Sequence, residues 1–323
     1  MTQITHRQIP VNGIEMHVAE CGKGPLVLMC HGWPELWYSW RHQLRALGGA
    51  GFHAVAPDMR GFGGTTAPHD AGAYTVLHNV GDMVGLVSEL GHKRALIVGH
   101  DWGAPVAWHC ALMRPDLFPA VVGMSVPHRR RGPRPPLETL RRGGRSDYYY
   151  FYFQEPAAEE EFSRDPRYTI ARILYIGAGD TPREDRMSLY VDRAQGFLGA
   201  SRAPVRALPW LSEADLDVFG EAYRKSGFRG GLNWYRNIDR NWELTAPFDG
   251  TIITQPALFI AGSLDAIITG SLGARALEDM DSVVPDLRRK LLIEGAGHWI
   301  QQERPAEVNA ALIDFARDYA INA

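Results

Sequence analysis

The chain places an aspartate where a nucleophile is best held. In ALIVGHDWGAPVAW (residues 95–108) an apolar run meets a tight turn and then a helical stretch. Asp101 occupies the turn, with Gly99 and Gly103 two residues to either side and Ala104 next. A nucleophile on a strained strand-to-helix turn needs small residues there, because the two backbones approach too closely for side chains. The N-terminus of the following helix favours negative charge. Hydrolases that use this turn usually carry serine in the pattern GxSxG, which does not occur in this sequence. A carboxylate does different chemistry. With an ordinary pKa of about 3.9 it is ionised at neutral pH without help from a base. It attacks an sp3 carbon, displaces a leaving group and becomes an alkyl ester, so a general base is needed only to hydrolyse that ester. Alone, an aspartate at this place would also suit a helix cap; its partners decide.

In hydrolases of this architecture the chain order is nucleophile, acid, histidine. ALFIAGSLDAI supplies Asp265 just past an apolar run, and KLLIEGAGHWIQQERP supplies His298 in a glycine-rich loop after the last one. No acid follows AVVGMSVPH, the other run that could bring one. A histidine of ordinary pKa, about 6.5, is expected to be largely neutral at pH 7 and able to take a proton from water. Asp265 would fix its tautomer and stabilise the imidazolium that forms. Singly, Asp265 suits a turn and His298 a loop hydrogen bond; the ordered set of three argues for catalysis. His100, beside the nucleophile, is expected to point away from it, and His31 and His109 to pack or hydrogen-bond. In LVLMCHGWPELWYSW, Trp33 follows an apolar run. Its backbone N–H can pair with that of Trp102, the residue after the nucleophile, to hold the oxyanion of ester hydrolysis.

These residues must be positioned by strands. PLVLMC (25–30), HAVAPD (53–58), ALIVGHD (95–101), AVVGMSVP (120–127), ALFIAG (257–262) and KLLIEGAG (290–297) read as short buried strands. Helical segments such as 82–91 and 106–118 separate most of them. Alternating strands and helices imply a mainly parallel sheet with helices on both faces and chemistry at the carboxyl ends of the strands. The alternation stops after Val126 and resumes near residue 254. The expected organisation is a core of 1–127 and 246–323 with a helical insertion, 128–245, between two strands. The insertion opens with HRRRGPRPPLETLRRGGR (128–145). Blocks of like charge usually stay solvated, so a mobile solvated loop is expected rather than a docking patch, with Glu159, Glu160 and Glu161 offsetting part of the charge.

The 323 residues suffice for one large domain or two small ones. With 34 basic and 37 acidic side chains, a net charge of −3 gives no general attraction to nucleic acid or anionic lipid. Cys21, Cys30 and Cys110 form no CxxC pair, against a disulfide scaffold or structural zinc. No apolar stretch of about 18 residues could span a bilayer, and MTQITHRQIPVNG lacks the pattern of a signal peptide. A cytoplasmic enzyme is expected, monomer or homodimer, with a small molecule and water as its only partners.

Together the motifs resemble the α/β-hydrolase fold and, within it, the epoxide hydrolases. HGWPELWYSWRHQ (31–43) resembles the family's HGxPE-x-WYSWR segment, GHDWGAPVAW its nucleophile turn, and PDMRGFGGTTAP (57–68) its D-x-R-G-x-G loop, with Gly64 where a polar residue is common. YFYFQEPAAEEEF (150–162) and SGFRGGLNWYRNIDRNW (226–242) are similar to the family's helical cap. The resemblance covers nearly the whole chain and is weakest over 128–145. It implies two cap tyrosines that hydrogen-bond the epoxide oxygen: Tyr235 in LNWYRN, and Tyr149, three residues before Tyr152 of YFQEP. On a helix Tyr149 and Tyr152 share a face and Tyr150 points elsewhere. The implied cycle opens the ring with Asp101 and protonates the alkoxide from tyrosine. Water activated by His298 then hydrolyses the ester to release a vicinal diol, with no metal or organic cofactor. Trp37, Trp40, Trp210 and Phe153 are candidates to line the substrate pocket. The rival readings are a haloalkane or haloacid dehalogenase with the same Asp–His–Asp logic, and an inert small-molecule receptor. Trp33 and Trp102 stand where those dehalogenases commonly carry asparagine and arginine.

Overall fold

A computed structural model describes residues 3–199 and 207–320. Residues 1–2 and 321–323 of the expected core and 200–206 of the expected insertion lie outside the described residues. Eight strands form one sheet: β1 (Thr5–Val11), β2 (Ile14–Cys21), β3 (Leu26–Cys30), β4 (His53–Pro57), β5 (Leu96–His100), β6 (Ala120–Met124), β7 (Ala257–Gly262) and β8 (Leu287–Ile293). Their order is β1-β2-β4-β3-β5-β6-β7-β8. The pairs β1–β2 and β2–β4 are antiparallel, and all others are parallel.

The six expected strands fall on β3 to β8. β6 ends at Met124, short of the expected Pro127, because Ser125 adopts a positive φ of 65°. β8 starts earlier than expected, at Leu287. Its first residues, Leu-Arg-Arg-Lys, are half-buried or exposed along a sheet edge, where charge discourages pairing with another chain. β1 and β2 were not expected. They form a hairpin around Asn12-Gly13, both at positive φ, the pair that a two-residue hairpin turn favours.

Successive residues of the central strands serve opposite faces. Leu26, Leu28 and Cys30 of β3 join one apolar core, and Val27 and Met29 the other. The second core is closed by helices Arg41–Gly49 and Pro305–Tyr319. The first continues without a break into the chain between β6 and β7. Among the described residues that connection is helical, from Pro136–Arg142 to Ile238–Leu244, and its one recorded strand-like pairing is an isolated bridge between Tyr148 and Tyr190. β4 and β5 lie on opposite sides of β3, so the strand order reverses there. A crevice forms at the carboxyl ends of strands where the order reverses. No helix among the described residues is long and apolar enough to cross a membrane.

Candidate active site

Asp101 follows β5 and adopts φ 51°, the left-handed region that few side chains tolerate. The turn is possible because its surroundings lack side chains. A Cβ on Gly103 would collide with the Cys30 carbonyl, and one on Gly32 with the Asp101 carboxylate. The two oxygens of Asp101 meet different neighbours. Oδ1 accepts the Trp33 backbone N–H at 2.7 Å. The Trp102 amide nitrogen borders the same spot, among the nearest atoms to a Cβ built on Gly32. Oδ2 lies 3.5 Å from His298 Nε2.

On its other side, His298 Nδ1 lies 3.1 and 3.0 Å from the two oxygens of Asp265. Asp265 follows β7 and is fully buried. It also accepts the Ile267 N–H at 2.9 Å, so the turn role and the histidine-pairing role coexist. Burial alone would raise the Asp265 carboxyl, but the charge and hydrogen bond of His298, with the Ile267 amide, hold it below the ordinary range. Burial would likewise push the His298 imidazolium down. The Asp265 charge, hydrogen bonds to Asp101 and Asp265 and the Asp101 charge outweigh it, and the pKa lies well above 6.5. This corrects the expectation of an imidazole of ordinary proton affinity: two carboxylates flank the ring and favour its protonated form.

The loop carrying His298 is clamped by residues the sequence reading did not single out. The carboxylate of Glu303 accepts the backbone N–H groups of Gly297 and Trp299, both at 2.9 Å. His100 does point away from the site, as expected. Its Nε2 donates to the His298 carbonyl at 2.8 Å, and its Nδ1 lies 2.6 Å from Glu35 Oε2. Gln301 donates to the other Glu35 oxygen at 2.7 Å. Burial would raise the Glu35 carboxyl, but the charge and hydrogen bond of His100 bring it down to about 2. The signal for this pair was in HGWPE and GHDWG: Glu35 closes the first motif and His100 directly precedes the nucleophile. His31 bridges its own loop, accepting the Met59 N–H at 2.9 Å.

Tyr149 and Tyr235 come from the helical insertion and line, with Asp101, Asp265, His298 and Trp33, a cavity of about 290 Å³. Both phenols are buried, and burial first, then neighbouring phenols and the Asp101 charge, pushes them well above the ordinary tyrosine range. They stay protonated and can donate. Tyr152 leaves the cavity, its hydroxyl donating to Glu161 at 2.7 Å. Tyr150 does not line this cavity, as expected, although its ring packs 4.7 Å from Tyr149 and 5.7 Å from Tyr235. Four expected lining residues are absent from the cavity. Phe153 is fully buried behind it, its ring 5.2 Å from Tyr149 and 4.8 Å from both Tyr235 and Trp33. Trp37 packs on His6, with its amide on Asp58. Trp40 is buried in the second core, and the Trp210 carbonyl lies against Arg41. Large aromatic type is no guide to position, because rings pack equally well in cores.

Residues 25–173 match the family model described as alpha/beta hydrolase fold. Epoxide hydrolase A of Mycobacterium tuberculosis (strain ATCC 25618 / H37Rv) is 43% identical, over 96% of this chain and 97% of the relative. Epoxide hydrolase 2 of Siraitia grosvenorii is 43% identical over 99% and 100%. The crystal structure of epoxide hydrolase A from Mycobacterium thermoresistibile superposes with a TM-score of 0.91 at 42% identity, covering 98% of this chain and 99% of that one. An epoxide hydrolase from an endophytic Streptomyces gives 0.92 at 44% identity, over 98% and 97%.

Proposed function

The chain belongs to the epoxide hydrolases of the α/β-hydrolase fold, and from that premise we propose how its own residues add water to an epoxide to give a vicinal diol. Tyr149 and Tyr235 hold the epoxide oxygen. Asp101 attacks a ring carbon from the opposite side through Oδ2, the C–O bond breaks, and the alkoxide takes a proton from a tyrosine. The product is a hydroxyalkyl ester. Forming it removes the Asp101 charge and so weakens two of the influences that keep His298 protonated. The proton affinity of His298 therefore falls at the step that needs a base. His298, oriented by Asp265, deprotonates water, which attacks Cγ of Asp101. Charge develops on Oδ1, where the Trp33 and Trp102 N–H groups receive it. The Cγ–Oδ2 bond breaks, the departing alkoxide takes from His298 the proton drawn from water, and the diol leaves. The tyrosinate is reprotonated by the proton that His298 sheds when the ester forms, and the new carboxylic acid of Asp101 returns a proton to His298.

The observation that carries this reading is the division of labour on one carboxylate. Trp33 N–H sits on Oδ1, and Oδ2 faces His298. A simple helix cap has no need of that asymmetry. Residues 1–127 and 246–323 act as the catalytic core and 128–245 as a cap closing over the substrate. The reading places the enzyme in the cytoplasm, as monomer or homodimer. Its three cysteines, all buried and free, suit a reducing compartment. Product analysis with styrene oxide and, in parallel, 1-bromohexane tests the assignment. Diol from the first without halide from the second is expected; halide release without diol would overturn it in favour of a dehalogenase, and neither in favour of a receptor.

A further inference from the structure

The cap keeps two of its own acids to itself. Glu159 pairs with Arg229 and Arg236, and Glu161 accepts Tyr152 and the amides of Phe197 and Leu198, so neither offsets the arginine-rich stretch as expected. Glu303, from the core, reaches the other way. It ends the short helix Ile300–Glu303 and is buried, with no cation paired to its carboxylate among the described residues. Three main-chain amides hold it instead. Oε1 accepts the Trp299 N–H, and Oε2 accepts the N–H groups of Gly297 and Gly179, all at 2.9 Å. Gly297 and Trp299 flank His298, whereas Gly179 belongs to the cap, two residues past the helix Pro166–Gly177. The same helix end also meets the histidine loop directly. The Gly177 carbonyl accepts the His298 N–H and the Leu174 carbonyl accepts the Trp299 indole N–H, both at 2.8 Å. The seam has no room for side chains: a Cβ on Gly179 would collide with the Gly295 carbonyl, and one on Gly297 with the Gly179 nitrogen and the Gly177 carbonyl.

Ile173, Ile176 and Gly177 of that helix line the cavity beside Asp101, so a substrate seated there bears on the turn that holds the histidine loop. His298 acts as a base only while its Nε2 stands where it can hold a water against Cγ of Asp101, and an error of about 1 Å can cost about 10²-fold. From this we propose that Glu303 is a positioning residue for His298. It stitches the loop of the base to the end of one cap helix, and makes hydrolysis of the ester, rather than its formation, depend on how that edge of the cap is seated. Ester formation does not draw on the seam. Asp101 is held through Oδ1 by the Trp33 N–H, and the two phenols come from other cap helices, Tyr149–Tyr152 and Arg229–Arg236. Glutamine at 303 would keep the volume but offer one acceptor oxygen to three amides, with its NH2 group set donor against donor. The inference rests on the reading of His298 as the base of ester hydrolysis.

Single-turnover quenching with styrene oxide, read by intact-protein mass spectrometry, separates the two steps. In E303Q the ester is expected to form within about threefold of the wild-type rate and to break down about 10²-fold more slowly, so that the adduct accumulates. W299F removes the indole bond to Leu174 and should slow breakdown alone, by about tenfold. The two losses should be less than additive in E303Q/W299F, because both act through one seam. L47A, in the second core, should lower the melting temperature without changing the ratio of the two rates, which separates positioning from a general loss of stability. Hydrogen exchange reads the seam without chemistry: peptides covering 174–180 and 294–300 should exchange faster together in E303Q, while the helix Arg229–Arg236 keeps its wild-type rate. Equal slowing of both steps in E303Q, unchanged breakdown, or faster exchange confined to the core peptide overturns the proposal. If E303Q does not fold, the same outcomes in W299F decide it. A wild type that releases no diol from any epoxide would strike the hydrolase reading itself, with the exchange of the two peptides still reporting the seam.

Discussion

The floor of the site and the roof above it hold their functional groups by different forces. On the floor, Asp101, Asp265 and His298 stand past the carboxyl ends of β5, β7 and β8, and each is fixed by main-chain amides or charged partners. In the roof, Tyr149 and Tyr235 are set largely by ring packing against each other, Phe153 and Trp33. The floor requires strong directional bonds because its groups change charge during the reaction, and a shift in position changes their proton affinities. The roof needs only a neutral donor near the ring oxygen, and a phenol in an aromatic cluster supplies that. The floor should therefore govern breakdown of the ester and the roof its formation.

The largest effect expected is on the floor. His298→Gln should still form the ester but hydrolyse it at least about 10³-fold more slowly, so intact-protein mass spectrometry should find an adduct of substrate mass. If Tyr235→Phe accumulated the adduct instead, the division between floor and roof would be broken. In the roof, Tyr149→Phe and Tyr235→Phe should each slow ester formation by about 10²-fold or more in single-turnover kinetics, without an adduct building up. Tyr150→Phe, which removes a hydroxyl from a packing ring, should cost less than about tenfold. Equal losses at Tyr149 and Tyr150 would move the donor to Tyr150.

The smallest effect is on stability and sharpens the electrostatic side of the comparison. The folded-state pKa of His298 is raised, so its pairing stabilises fully below about pH 6.5 and is lost as pH climbs through the raised value. Asp265 is depressed, so its share is present above about pH 4 and is lost as pH falls through the lowered value. The stability advantage of the wild type over His298→Gln, from urea titrations, should be greatest between about pH 4 and 6.5 and shrink in alkali. A flat difference would contradict the pairing of His298 with the two carboxylates.

The same contrast explains what the amino-acid order disclosed. Asp101, Asp265 and His298 were legible because each follows an apolar strand at a fixed offset, and buried central strands write themselves as continuous apolar runs. β1 and β2 escaped because their hairpin alternates, with β1 mostly exposed. The turn pair Asn12-Gly13 was the available sign. Tyr149 and Tyr235 came only from the family resemblance, since aromatic residues crowd the insertion and spacing does not separate a donor from a packing ring. Trp37 and Phe153 failed as pocket residues for that reason. The charge state of His298 could not be read because it depends on two carboxylates more than 30 positions away in the chain, brought within 3.0 and 3.5 Å only by the fold. The Glu35–His100 pair lay hidden inside motifs whose glycine and aspartate drew the reading.

The central claim is that Asp101 becomes bonded to the substrate and is later released by water attacking its own carboxyl carbon. A single turnover in heavy-oxygen water, followed by peptide mass spectrometry and analysis of the diol, tests it directly. The account predicts the label in the peptide containing Asp101 and none in the first diol released; label in the diol with residue 101 unlabelled would contradict it.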